Sequence, residues 1–392
     1  MRRELTGHYV ESVAGGELVR AFVPDPLPPV PALDLQGGRQ QLLEKATVAL
    51  GRLDSICMLL PNPQLFLYSY VRREAVLSSQ IEGTQSSLND LLLFELDEAP
   101  GVPFDDVQEV SLYLAALEHG MMRLRQGFPL CNRLLLEMHS KLMATGRGSG
   151  KLPGEFRRSQ NWIGGTHPGN ARFVPPPPQQ VKDCMAALER FFHQAEDGIP
   201  TLLRAALAHV QFETIHPFLD GNGRLGRLLI VVLLHQGGLL NQPLLYLSLY
   251  LKQHRSVYYD LLDRVRTQGD WEAWVDFFLE GVYLTASAAV GTVQRLTALF
   301  TADIDRLPQQ IQGSAAIVRS ALAVLTILRE RPLCSVKEMA NRSGLSVPTV
   351  SKAVQSLVSA GLVHELTGQR RNRVFVYTAY LNILNEETIV PL

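Results

Sequence analysis

Two apolar stretches at helical spacing, about Leu202 to Phe212 and Leu225 to His235, are separated by a short loop rich in polar residues and glycine. A chain with this pattern brings the end of one apolar helix and the start of the next to a common polar turn. The same periodicity runs through most of the remaining sequence. It covers Gln40 to Leu92 (with Leu42, Leu43, Ala46, Val48, Ala49 and Leu53), Val107 to Met143, and Leu247 to about Leu299. A helix is predicted over about Gln64 to Ile81, with Gly83 placed to end it. The expected class is therefore mainly α, with few exceptions. Residues up to about Pro31, dense in proline at Pro24 to Pro29, read as an extended arm. Phe94 to Asp106 reads as a solvated surface connection. Between Lys151 and Pro178, Gly169-Asn170 precedes Arg172-Phe173-Val174, which predicts a short β-hairpin stopped by Pro175 to Pro178.

Composition narrows the function classes. The 392 residues leave room for two or three domains, and 46% hydrophobic with 19% charged residues is a globular composition. Lys plus Arg number 37 against 38 Asp plus Glu, which excludes a wholly basic nucleic-acid coat. Cys57, Cys131, Cys184 and Cys334 are far apart with no C-x-x-C pair, which argues against a zinc cluster or disulfide framework and fits a reducing compartment. Met1 to His8 has no apolar run of signal-peptide length, and Leu228 to Leu234 is too short to cross a bilayer. A soluble, cytoplasmic protein with no membrane partner is the expectation.

The polar turn, His216-Pro-Phe-Leu-Asp-Gly-Asn-Gly-Arg-Leu-Gly-Arg227, packs a base, a carboxylate, three glycines and two arginines together. Glycines let backbone N–H groups face a ligand where a helix begins with its positive dipole end, which makes an anion cradle. Arg224 and Arg227, three apart, can face one di- or triphosphate. Asp220 can hold Mg2+ bridging phosphate oxygens, and His216 can take a proton from a hydroxyl. Singly, these features read as a structural histidine, a turn and a solvated face. Their conjunction points to phosphoryl-type chemistry.

This run resembles the signature of Fic-domain proteins, H-P-F-x-D/E-G-N-G-R-x-x-R, with every fixed position filled. The resemblance implies a helical core with a β-hairpin flap and transfer of AMP from ATP to a Tyr, Thr or Ser hydroxyl of a target protein or of the chain itself. It implies that His216 deprotonates that hydroxyl and Asp220 positions Mg2+. It further implies that Gly221, Asn222 and Gly223 stabilise the α-phosphate, and that Arg224 to Arg227, with Leu225 and Gly226 between them, hold the departing pyrophosphate. Phosphorylating members usually carry Lys where Gly223 stands, so the intact Gly-Asn-Gly favours nucleotidyl transfer, while phosphocholine transfer and AMP removal stay open. Ile163-Gly164-Gly165-Thr166, after Gly154-Glu-Phe-Arg-Arg-Ser159, resembles the flap that docks a target's main chain by strand addition. His254 and Tyr258 resemble the segment closing the adenine side, although many members carry Asn at position 254.

Ser78-Ser-Gln-Ile-Glu82-Gly83 has a hydroxyl four residues before a carboxylate, which puts both on one helix face. It resembles the family's inhibitory motif, S/T-x-x-x-E-G/N, and by that resemblance Glu82 competes with the γ-phosphate for Arg227. The C-terminal segment resembles a winged helix-turn-helix. Ser346 is its expected N-cap, Val350, Val354 and Leu357 form an inward face, and Thr349, Ser351, Lys352 and Gln355 point outward. Arg370, Arg371 and Arg373 fall at a wing. Within residues 346–377 DNA contact and protein contact both stay open, since Ser346 to Leu357 carries a single Lys and no Arg.

The expected organisation is an arm and inhibitory helical region over 1–105, a catalytic core over 106–245, completing helices over 246–303, and a winged module over 304–392. The leading function is a self-inhibited adenylyltransferase using ATP and Mg2+. The alternatives are a DNA-binding regulator whose core senses nucleotide, and a hydroxyl kinase or AMP-removing enzyme. Self-association into a homo-oligomer stays open.

Overall fold

The computed structural model describes residues 5–59, 64–96, 103–194, 197–311, 314–368 and 372–386, without the side chains of 57–59, 64 and 65. Cys57's side chain, Arg370 and Arg371 thus lie outside the described residues. The fold is mainly α. An N-terminal hairpin, β1 (Gly7–Ala14) and β2 (Glu17–Pro24), leads into α1 (Gly38–Leu59), α2 (Gln64–Ile81), α3 (Leu88–Phe94), α4 (Phe104–Arg125) and α5 (Asn132–Leu142). After an irregular segment come α6 (Pro178–His193), α7 (Thr201–Ile215), α8 (Asn222–Gln236), α9 (Leu247–Gln253), α10 (Arg255–Gln268) and the 40-residue α11 (Trp271–Gln310). The chain closes with α12 (Ala315–Glu330), β3 (Leu333–Ser335), α13 (Val336–Ser343), α14 (Val347–Ser359), β4 (His364–Glu365), β5 (Val374–Val376) and α15 (Thr378–Asn385).

The expected arm is corrected first. Its residues pair antiparallel in full register, from Gly7 opposite Pro24 to Ala14 opposite Glu17. The signal was Gly15-Gly16, both at positive φ, which is the two-residue turn that matches strand twist. The predicted second hairpin is smaller than expected. It is a single antiparallel bridge between Ile163 and Phe173, closed by N–H···O bonds of 2.8 and 3.1 Å. Of the predicted surface connection from Phe94 to Asp106, residues 97–102 lie outside the described residues; Phe104 is exposed, and Asp106 is buried in the first turn of α4.

α7 and α8 are buried on nearly every side, as their continuous apolar sequences require. α11 supports the bundle along its length through Trp274, Val275, Phe278, Val282, Ala286, Ala289 and Val293, all buried at three- and four-residue spacing. It is long and apolar enough to cross a membrane by length and composition, and 56% of its apolar window is buried inside the protein. The winged module has β3, β5 and β4 in one antiparallel sheet. Ser346 caps α14 by accepting from Thr349 N–H at 3.4 Å, and Val350, Val354 and Leu357 face inward. The boundary expected at 304 lies inside α11, which runs on to Gln310.

Candidate functional site

The run from His216 to Arg227 links α7 to the first turns of α8, and His216, Leu219, Asp220, Gly221, Asn222, Gly223 and Arg224 from it line a cleft of about 510 Å³. His216 terminates α7 in the left-handed conformation, φ 48° and ψ 60°, which is costly for a residue with a side chain. The strain is held by Arg157, buried at the centre of the Gly154–Ser159 run, in a role that no local spacing announces. Its Nε donates to His216 O at 2.9 Å, its Nη1 to Ser159 O at 3.3 Å, and its Nη2 to Pro176 O and Ile215 O at 2.5 and 3.4 Å. Its backbone N–H donates to Pro217 O at 2.9 Å. The His216 ring lines the cleft, with Nδ1 4.0 Å from Glu213 Oε2. Burial, with the charges of Arg157 and Arg266 behind it, pushes His216 down to about 3, so the imidazole is neutral in this resting form.

A second histidine, His139 on α5, clamps the loop from below. Its Nδ1 accepts from Gly154 N–H at 2.9 Å, which leaves Nε2 to donate to Asp220 O at 3.0 Å. Its ring stacks on Phe218 at 3.7 Å, and burial lowers it to about 4. Asn222 departs from its expected role. Its Oδ1 accepts from Phe218 N–H and its Nδ2 donates to Phe218 O, both at 2.9 Å, so the side chain closes the loop instead of facing a phosphate. The first-turn N–H groups of α8 after Gly221 are the anion-facing donors, because no carbonyl within the helix can reach them. Gly221, at φ 76°, lets the chain turn here, since a Cβ would lie 2.8 Å from Met143 Sδ.

The two arginines point apart. Arg224 reaches the cleft, where Nη1 donates to Glu109 Oε2 at 3.2 Å and Nη2 lies 3.9 Å from Asp220 Oδ1. Arg227 is buried, its side chain 2% exposed. Its Nε donates to Ser78 Oγ at 2.7 Å, and its Nη2 to Ser78 O and Glu82 Oε1 at 2.9 and 2.7 Å. Burial opposes the charged forms of this pair, but their mutual attraction wins: Glu82 is lowered and Arg227 raised from their ordinary values. The same Glu82 Oε1 is the atom that a Cβ on Gly223 would meet at 2.3 Å. The carboxylate therefore stands over the start of α8, where its charge is favoured by the helix dipole.

Asp220 is half-exposed to the cleft and accepts from Gly221 N–H at 2.6 Å through Oδ1. One such carboxylate suits Mg2+ that arrives with phosphate oxygens. Among the described residues no group of three or more His, Cys, Asp or Glu could hold a metal alone.

Ile163 and Gly164 also line the cleft, while Gly165 and Thr166 lie in a turn organised by Asn170. There Asn170 Oδ1 accepts from Thr166 and His167 N–H at 2.9 and 3.0 Å. Glu17 at the start of β2 braces this turn by accepting from Gly169 N–H at 2.8 Å. Leu225 and Gly226 do not line the cleft. Leu225 is buried, and Gly226 allows close packing on Glu213 and Phe212. His254 and Tyr258 also lie outside its lining: His254 is exposed with Nδ1 on Tyr250 O, and Tyr258 is buried with its hydroxyl 2.8 Å from His209 Nε2. The expected contact with a base through Tyr258 is replaced by this buried bond.

Residues 129–234 match the Fic/DOC family, residues 40–122 the Fic/DOC family N-terminal region, and residues 319–364 the winged helix-turn-helix DNA-binding family. Among curated relatives, the protein adenylyltransferase Fic of Culex quinquefasciatus is 35% identical over 147 residues, 37% of this chain and 26% of that protein. The protein of the same name from Drosophila willistoni is 28% identical over 245 residues, 62% of this chain and 44% of that protein. The chain thus spans less than half the length of these relatives. A Fic family protein from Desulfovibrio desulfuricans G20 has a similar fold, with a TM-score of 0.57 at 19% identity, covering 88% of this chain and 97% of that one. Fic-1 from C. elegans superposes with a TM-score of 0.52 at 21% identity, over 65% and 74% of the two chains.

Proposed function

From a chain that carries a Fic domain over residues 129–234, we propose a protein adenylyltransferase that uses ATP and is held off by its own Glu82. The observation that carries this reading is the placement of a neutral His216 and the start of α8 on one cleft, with the Glu82 carboxylate lodged over that helix start. In the proposed reaction the imidazole takes the proton of a target hydroxyl, and the oxygen bonds to the α-phosphorus. The bond from that phosphorus to the bridging oxygen breaks, and pyrophosphate leaves with the electron pair. The first-turn N–H groups of α8 and the Arg224 guanidinium are preorganised for the charge that develops. Asp220 would hold Mg2+, which supplies neutralisation of phosphate charge. Ile163 and Gly164, which line the same cleft as His216, are the edge on which a target segment would lie.

Glu82 fits the role of a brake because one of its oxygens does two things. It pairs with Arg227, and it fills the anion cradle at Gly223. Duplex DNA is the partner class that the winged-helix match supports for α14, whose exposed side offers Lys352 and Gln355. A reducing, cytoplasmic setting belongs to the same reading, and the described cysteines Cys131, Cys184 and Cys334 are free.

The test is incubation of wild type, Glu82→Gly and Glu82→Gly/His216→Ala with labelled Mg-ATP and cell lysate, followed by intact-mass analysis. The expected result is AMP addition that rises about tenfold or more in Glu82→Gly and vanishes in the double variant. Equal labelling in all three, or addition of phosphate in place of AMP, would overturn it.

A further inference from the structure

The cleft holds a second ion-pair system that the Fic signature does not contain. Glu109, on α4, places Oε2 3.2 Å from Arg224 Nη1 and Oε1 2.7 Å from Arg147 Nε. Glu109, Arg147 and Arg224 all line the cleft, and the Arg147 side chain is 58% exposed. Arg224's other contacts are an uncharged Met143 Sδ at 3.6 Å and a long approach to Asp220 Oδ1 at 3.9 Å, and its charge is also felt by the Glu82 carboxylate. Arg147's second arm donates to Asp106 Oδ1 at 2.7 Å, and Asp106 Oδ2 accepts from Gln85 N–H at 2.7 Å, in the turn that follows Glu82. In this resting form both arginines of the signature are therefore neutralised by carboxylates from outside it, Arg227 by Glu82 and Arg224 by Glu109.

Resting on the reading of the cleft as a nucleotide site, we infer that Glu109 is a second carboxylate that competes with the triphosphate for Arg224, and that Arg147 is the positioning residue that sets how strongly it competes. A carboxylate shared by two guanidinium groups divides its attraction between them. When phosphate oxygens take Arg224, Glu109 keeps a partner in Arg147 and is not stranded in a half-buried site without one. Without Arg147, all of Glu109's charge falls on Arg224. The two residues thus act in opposite directions on the same ligand, which a merely structural network would not do.

The test measures the dissociation constant of Mg-ATP by calorimetry in the full chain carrying Glu82→Gly, so that the Glu82 brake is removed and AMP transfer to a target is not the readout. Adding Glu109→Gln is expected to tighten binding about fivefold, and adding Arg147→Ala to weaken it by a similar factor, with Arg147→Lys restoring most of the loss. In Glu109→Gln/Arg147→Ala the arginine's effect is expected to disappear. Weakening by Arg147→Ala that persists in the double variant would show Arg147 to be a direct phosphate ligand and overturn the inference. Unchanged or weaker binding in Glu109→Gln would overturn it as well. If the Glu82→Gly parent binds no Mg-ATP, the failure belongs to the nucleotide-site reading itself.

Discussion

His216 is the residue on which the chemistry turns, and its environment makes it a poor base at rest. Burial is the first cause of its lowering to about 3, and the Arg157 and Arg266 charges add to it. A lowered pKa means that the neutral, proton-accepting form persists far below the usual imidazole range near about 6.5. The His216 resonances in an NMR titration should therefore keep neutral shifts from about pH 7 down to about pH 5, and His139 and His209, both at about 4 through burial, should do the same. A triphosphate entering the cleft brings negative charge beside the ring, which favours the imidazolium. Mg-ATP added to Glu82→Gly should accordingly move the His216 titration upward. An inflection of free His216 near 6.5 would contradict the burial argument. At this scale the sequence supplied residue types and spacing, and it identified His216, Asp220 and Arg224 as neighbours because all lie within one short run. It missed Arg157 and His139, because the carbonyls they hold belong to segments tens of residues away.

At the scale of elements, the α7–α8 pair is held close by a missing side chain. A Cβ on Gly226 would lie 2.4 Å from Glu213 Oε1 and 3.2 Å from the Phe212 ring, both on the facing helix. Gly226→Ala should cost about 1–3 kcal/mol in denaturant unfolding, through overpacking between two buried helices. Gly51 within α1 is the contrasting case. It is exposed and nothing lies within 4 Å of its added Cβ, so Gly51→Ala should stabilise the chain by about 0.5–1 kcal/mol through helix propensity. Equal effects at the two sites would mean that propensity, not packing, governs both. Most helices were legible from periodicity; α2 runs from Gln64 to Ile81, as predicted. The N-terminal hairpin is hard to see in the sequence because the prolines that follow it favour an extended arm and only Gly15-Gly16 marks its turn. The flap was predicted as a regular hairpin, but its glycines and the Asn170 side chain favour a tight turn over ladder pairing.

On the scale of the whole molecule, the winged module is tied to the helical body and does not stand apart from it. Tyr377 OH donates to the buried Asp303 of α11, and Tyr380 OH donates to Ser69 Oγ of α2 at 3.2 Å. Phe300 packs edge-on against Tyr380 at 5.2 Å, and the Arg331 guanidinium lies 4.7 Å from the Tyr68 ring centre. α2 therefore meets the winged module with one part, while its other end holds Ser78 against the buried Arg227 and leads directly into Glu82 at the cleft. Tyr377→Phe removes the hydroxyl that Asp303 accepts from and should cost about 1–3 kcal/mol. In calorimetry the module and the body should unfold in one transition, with the variant shifting that whole transition. Two separate transitions, only one of them moved, would show that these contacts do not couple the parts.

The sequence by itself determined what covalent neighbours decide: the helical periodicities, the caps, and the concentration of base, carboxylate, glycines and arginines between two apolar helices. Those features depend on spacing over a dozen residues or fewer, and spacing survives any tertiary arrangement. Packing alone decided the partnerships. It turned Asn222 inward, stood Glu109 against Arg224, and buried Tyr258 on His209. Each of these joins groups whose separation along the chain says nothing about their distance in space, and charge or shape settles the pairing only once the helices are in contact.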